Sequence, residues 1–242
     1  MELISGTDDT VTYRCNDGLE WRFTKRLENE QVFLDSQLIN QTGTPVRLDR
    51  FVMLDVQHPV AFGAPARKPV GLMQSGSQAR CNAYRLDNAD AAHESKVYLQ
   101  LYARNPDQAF QVGFQTFTRI HTFVEYDYDE DEGINGLRAI CDFDGFVLAP
   151  GKSVSTEQVV LRIGDDPLAQ MTAWAECAAA VYKPSIPEDA PLGLCGFGAW
   201  VDTFNSAATY ETINLEMVDA INKRLAGFGF AYCWISIGNL QG

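Results

Sequence analysis

Short apolar runs with a two-residue period fill the chain from residue 10 to about 163, and turn residues separate them. Val11–Cys15, Leu19–Thr24, Val32–Asn40 and Val46–Val56 come first; 96–103, 109–120 and 122–128 continue the series. In the fourth run Val46, Leu48, Val52, Leu54 and Val56 alternate with Arg47, Asp49, Met53 and Asp55, which predicts one buried and one wet face. Gly43-Thr44-Pro45 predicts a turn that pairs the third and fourth runs antiparallel. Residues 57–80, rich in Gly, Pro and Ala, read as a long loop of the kind that often carries function. Gly136–Ala149 and Ser153–Ile163, on either side of Pro150-Gly151, read as a β-hairpin.

The period lengthens to that of a helix in two places. Asp166 as N-cap and Pro167 at N1 open a helix whose apolar face is Leu168, Met171, Trp174, Ala178 and Val181. Tyr210, Ile213, Met217, Ile221 and Leu225 form a second stripe. Thr209 is its predicted N-cap, Glu211 lies in the first turn, Lys223 and Arg224 in the last, and Gly227 follows the end. Before it, Leu194–Val201 is a Gly-interrupted apolar run; after it, Phe228–Ile237 is apolar almost throughout, as in a parallel strand covered on both faces.

The strand, helix, strand order is the repeating unit of doubly wound sheets and of the (β/α)8 barrel, and about 30 residues per unit is typical of the barrel. One strand pair and one helix cannot cover both faces of a parallel sheet, so this segment is expected to be the beginning of a larger domain. Pro184, Pro187 and Pro191 break regular structure ahead of it. The expected fold class is mainly β: a large antiparallel β-sandwich with a closing helix over 1–182, a linker at 183–192, and at 193–242 the first β-α-β portion of a truncated (β/α)8 barrel.

Composition narrows the chemistry. The 242 residues are 46% hydrophobic, enough for a substantial core. The net charge of −13 argues against nucleic acid or an anionic membrane as partner. The N-terminus has no signal-peptide pattern and no apolar run is long enough to span a bilayer, so a cytoplasmic location is expected. Cys15, Cys81, Cys141, Cys177, Cys195 and Cys233 stand singly, which predicts neither a zinc site nor a disulfide framework, and no cofactor is expected. His58, His93 and His121 have no catalytic motif around them, and the glycines at 193, 196 and 198 lack the helix start and acidic partner of a dinucleotide site. The acidic run from Asp127 to Gly133 fails as a calcium loop, because Glu132 stands where the loop needs Gly and Arg138 where it needs Glu.

Pro191, Gly193, Cys195, Trp200 and Phe204, followed by a helix and then Gly229-Phe230, Tyr232 and Trp234-Ile235, resemble the first barrel strand, first helix and second strand of the α-galactosidases (melibiases) of glycoside hydrolase family 36. Three earlier stretches are similar to the sandwich of that family: Gly113–Arg119, the run from Leu148 through Pro150-Gly151 to Glu157, and Gly164–Pro167. The resemblance implies a β-sandwich ahead of the barrel and an oligosaccharide or glycoside as substrate, and it makes the 57–80 loop a candidate for the barrel mouth, with packing as a plain surface loop the competing role. It implies retaining hydrolysis, which needs two carboxyl groups about 5–5.5 Å apart. The family takes both catalytic aspartates from strands later than the second, so the chain is expected to hold neither and to be inactive alone.

In barrels the pocket forms at the C-terminal strand ends. Trp200 and Asp202 follow the first strand, and Ser236 and Asn239 end the second; these four are the candidate sugar-binding residues. Galactose-binding members carry adjacent aspartates where this chain has Ser236-Ile237, so the resemblance implies a divergent branch, and the sugar is not fixed by these residues. Trp200 packing the strand end is the competing role. For the whole chain the alternative is a non-catalytic carbohydrate-binding or protein-interaction sandwich, and self-association through the sandwich stays open.

Overall fold

The computed structural model describes residues 1–75, 81–86, 94–185, 192–195 and 207–234. They form two compact units, Met1–Lys183 and Pro184–Gly242.

The strands of the first unit are, in chain order, β1 (Glu2–Gly6), β2 (Thr10–Arg14), β3 (Leu19–Glu28), β4 (Gln31–Asn40), β5 (Val46–Val56), β6 (Gly71–Ser75), β7 (Cys81–Arg85), β8 (Glu94–Ser95), β9 (Tyr98–Ala103), β10 (Gln108–Phe114), β11 (His121–Asp129), β12 (Gly133–Leu148), β13 (Ser153–Ser155) and β14 (Val159–Gly164). A ten-stranded sheet runs β1-β2-β3-β4-β14-β10-β9-β6-β7, with β13 also on β4, and a four-stranded sheet runs β5-β12-β11-β8. Every pairing in both is antiparallel. The expected β-sandwich is therefore present, and its core lies between the sheets. Leu34, Leu38, Leu99, Leu101, Phe114 and Val159 from the large sheet pack with Leu48, Val124, Tyr126, Leu137 and Leu148 from the small one.

Two expected hairpins are instead crossings between sheets. Strand β4 already has β3 on one side and β13 and β14 on the other, so no edge is left for β5, which pairs with β12. Strand β12 is likewise filled by β5 and β11, and the chain after Pro150-Gly151 returns to the large sheet. Asn40, wholly buried, ties the two corners together. Its Nδ2 donates to the carbonyls of Thr44 and Leu148, each at 2.8 Å, and its Oδ1 accepts from the Thr42 amide and hydroxyl.

The alternation in β5 also changes phase. The pairing with β12 shifts register between Ala139 and Ile140, opposite Leu54 and Val52, so Met53 is the extra residue of a bulge. A second shift, between Asp142 and Phe146 opposite Arg50 and Leu48, has already reversed the phase, so Met53 is buried and Val52 is 40% exposed; the bulge then restores the expected phase at Leu54 and Val56. The stretch expected as one long loop ends early, because 71–75 is strand β6, paired with β7 and β9 and nearly all buried. Strand β1 has no counterpart in the sequence reading; its five residues are all exposed.

Helix α1 (Pro167–Tyr182) starts as expected: Asp166 accepts from the amides of Leu168 and Ala169, with Pro167 at the first position. It lies on the outer face of the large sheet, against β10 and β14. The covered face differs from the expected one, since Leu168 is 61% and Val181 48% exposed. Trp174 and Ala178 face inward as expected, and Gln170 joins them because the sheet face beneath is polar. Gln170 Oε1 accepts from Gln100 Nε2, whose Oε1 accepts from Gln111; Gln111 Oε1 accepts from the buried Arg162. Trp174 Nε1 donates to the Phe114 carbonyl at 3.1 Å and lies over Gly113, where a Cβ would come within 2.9 Å of the indole nitrogen.

The second unit holds β15 (Leu192–Cys195), α2 (Ala207–Leu225), a 3-10 turn (Ala226–Phe228) and β16 (Phe230–Trp234). The two strands pair in parallel, Gly193 with Tyr232, Leu194 with Cys233 and Cys195 with Trp234. Thr209 falls inside the helix rather than at its cap. At the other end a 3-10 turn continues the coil, so Gly229, at φ 89°, takes the left-handed position expected at Gly227.

Candidate functional site

The parallel strands of the second unit provide the frame on which the sugar-binding residues are expected. Cys195 and Trp234 are partners at the C-terminal ends of β15 and β16. Trp200, Asp202, Ser236 and Asn239, which follow those ends in sequence, all lie outside the described residues.

In the sandwich, two stretches with family resemblance meet. Arg119 ends the Gly113–Arg119 segment, and Glu157 ends the one that begins at Leu148. Glu157 is wholly buried. Its Oε1 accepts from the backbone N–H of Arg119 at 2.7 Å and of Ile120 at 3.1 Å, and its Oε2 accepts from Arg119 Nη2 at 3.0 Å. Burial pushes this carboxyl upward, but the Thr116 hydroxyl and the Arg119 donors outweigh it and hold Glu157 below the usual carboxylate value. The group is thus a buried anion with its donors supplied by protein. It joins two segments and offers no open acceptor for a substrate. Cys141 nearby is pushed up to about 12, first by burial, and is an inert thiol at neutral pH.

The 57–70 loop is tied down. Phe62 and Arg67 form a short antiparallel bridge, Phe62 is buried, and Arg67 Nη1 donates to the carbonyls of Arg104 and Pro106 at 2.7 Å each. Arg67 Nη2 also donates to Gln108 Oε1. The acidic turn between β11 and β12 closes on itself: Asp129 Oδ1 accepts from the amides of Asp131 and Glu132, and Asp127 pairs with Arg138. Among the described residues no cluster of His, Cys, Asp and Glu is arranged to hold a metal ion, and no helix is long and apolar enough to cross a membrane.

One concave site was missed by the sequence reading. At one end of the sandwich a cavity of about 720 Å³ is lined by Lys68, Arg85, Tyr102, Arg104, Tyr128 and Glu130, among others. Arg85, Tyr102 and Tyr128 come from the strands β7, β9 and β11, and Lys68, Arg104 and Glu130 from three separate connections, so no spacing along the chain could have joined them.

No protein-family model and no curated protein matches the sequence. Solved structures do match. The galactosidase domain of the α-galactosidase-sucrose kinase AgaSK superposes at a TM-score of 0.50 with 13% identity, over 93% of this chain and 32% of that one. The family 36 α-galactosidase AgaB of Geobacillus stearothermophilus gives 0.51 with 16% identity, over 95% of this chain and 32% of that one. Its AgaA, in complex with stachyose, gives 0.51 with 14% identity, over 96% and 34%. The chain spans about a third of the length of these proteins. As its motifs implied, the chain shares its fold with the α-galactosidases of glycoside hydrolase family 36.

Proposed function

We propose that the chain is the leading portion of a glycoside hydrolase of the α-galactosidase type, a divergent member that hydrolyses α-glycosidic bonds of oligosaccharides with retention. The observation that carries this reading is the order of its parts. An antiparallel sandwich closed by α1 precedes a parallel β15-α2-β16 unit, the fold of the family 36 enzymes. In this reading β15 and β16 are the first two strands of a (β/α)8 barrel, and the domains run 1–182 and 193–242 about a linker. Trp200, Asp202, Ser236 and Asn239 contact one sugar, with the indole on the apolar face of the ring and the polar groups on its hydroxyls. Both catalytic carboxylates belong to later strands, so the chain binds without cleaving. Its working place is the cytoplasm and its substrate a glycoside.

The test is the reading frame that encodes the chain and the product of that frame. Further βα units beyond Gly242, and hydrolysis of an aryl α-galactoside or a related aryl α-glycoside by the product, are expected. A frame that stops at Gly242 would support the second reading, a non-catalytic carbohydrate- or protein-binding sandwich, which draws on the self-contained core of Met1–Lys183. Cleavage of such a substrate by the 242-residue chain itself, abolished by changing one of its own aspartates, would overturn the assignment of catalysis to later strands.

A further inference from the structure

The cavity at the end of the sandwich has a charge opposite to that of the protein. The chain carries −13 overall, yet Lys68, Arg85 and Arg104 stand around one hollow of about 720 Å³, and among the described residues Glu130 is the one carboxylate in its lining. Neither Lys68 nor Arg104 has a carboxylate partner among the described residues. The Lys68 stem runs over Gly133, at φ 82°, where a Cβ would sit 3.4 Å from the lysine Cδ. Asn105, beside Arg104, and the rings of Tyr102 and Tyr128 complete the wall. The volume falls within the roughly 300–1,000 Å³ of small-molecule sites.

Cations gathered in a concavity with low-dielectric walls concentrate the field on an anion placed there. The guanidinium fork of Arg104 matches a carboxylate or phosphate, while Lys68 acts as a point charge. Tyrosine rings, an amide and the single carboxylate of Glu130 suit a ring that carries hydroxyls, for which an apolar face and acceptors are both needed. We propose that this cavity, built by residues of the first unit, binds an anionic sugar, a mono- or disaccharide bearing a phosphate or a carboxylate. The anionic half of the assignment stands on the cations alone; the sugar half rests on the carbohydrate reading above.

Calorimetric titration of the whole chain with galactose 1-phosphate, digalacturonate, galactose and inorganic phosphate tests it. One of the two anionic sugars is expected to bind at least about tenfold more tightly than either galactose or inorganic phosphate, with an affinity that falls as salt rises. The tighter of the two identifies the anionic group. Lys68→Gln and Arg104→Gln, both at exposed positions, should each weaken that binding by about fivefold or more without moving the melting temperature. Trp200→Ala should leave it unchanged, which separates this site from the strand-end site. Absence of binding by both anionic sugars, or an affinity untouched by either charge substitution, overturns the proposal. Inorganic phosphate binding as tightly as the sugars overturns its sugar half.

Discussion

Replacing Glu157 by alanine removes the acceptor that two backbone amides, of Arg119 and Ile120, share inside the sandwich. Each orphaned buried donor costs about 1–3 kcal/mol, and the lost side-chain volume adds to it, so the substitution should destabilise the first unit by about 3–5 kcal/mol. At about 2–4 °C per kcal/mol for a domain of this size, the melting temperature should fall on the order of 10 °C. Arg119→Ala is a different case. The arginine side chain is 58% exposed, so the ion pair itself is screened and should contribute about 1 kcal/mol or less. Glu157→Gln keeps one acceptor and turns an NH2 group toward the guanidinium, and should fall between the two. The pH dependence has a definite sign. The folded-state value of Glu157 lies below the ordinary 4.5, so its charged form contributes stability that is complete above 4.5 and is lost as pH falls through the lower folded value. The gap between the wild type and Glu157→Gln, followed by thermal melts from neutral to acid pH, should therefore narrow below 4.5. Arg119→Ala as costly as Glu157→Ala, or a gap that does not change with pH, would refute the reasoning.

Asn40→Ala should cost about 2–4 kcal/mol in chemical denaturation, because the side chain satisfies the Thr44 and Leu148 carbonyls from within the core. Asn40→Asp should not restore stability, since a carboxylate cannot donate to either carbonyl. Gly113→Ala places a methyl group 2.9 Å from Trp174 Nε1 and 3.2 Å from Tyr98 Cβ, so α1 must shift; a changed tryptophan emission and lower stability are expected, and an unchanged spectrum would contradict the packing. Cys141, with its thiol pushed up to about 12 by burial, should escape alkylation at mildly alkaline pH in the native protein and react on unfolding, as peptide mass spectrometry would report.

What the sequence made legible follows from which forces are local. Two-residue alternation and turn residues located most of the sandwich strands, because each strand buries one face. They did not tell which strand lies beside which. The turn at Gly43-Thr44-Pro45 reverses the chain, but whether β5 pairs with β4 depends on whether distant β14 has already occupied that edge. Two register shifts against β12 reverse the phase of β5 over Phe51–Met53 and restore it at Leu54, and neither is visible without the partner strand. The polar face of α1 escaped for a related reason: Gln170 and Arg162 look like surface residues until Gln100 and Gln111 are brought beneath them. The motifs at Arg119 and Glu157 were visible as resemblance, and their direct bond gives them a physical meaning that neither had alone. The strand-end candidates rest on sequence position and on the parallel pairing of Cys195 with Trp234.

Trp200, which follows the first strand in sequence, is proposed to hold a sugar. Intrinsic fluorescence of the chain and of Trp200→Ala, titrated with raffinose and a panel of neutral oligosaccharides, tests it most directly. A saturable change with one of these sugars is expected, which Trp200→Ala weakens by about 1–3 kcal/mol, the contribution of a large apolar contact, while the melting temperature stays nearly constant. A melting temperature lowered by several degrees with sugar affinity unaltered, or no sugar response in the parent chain, would contradict it.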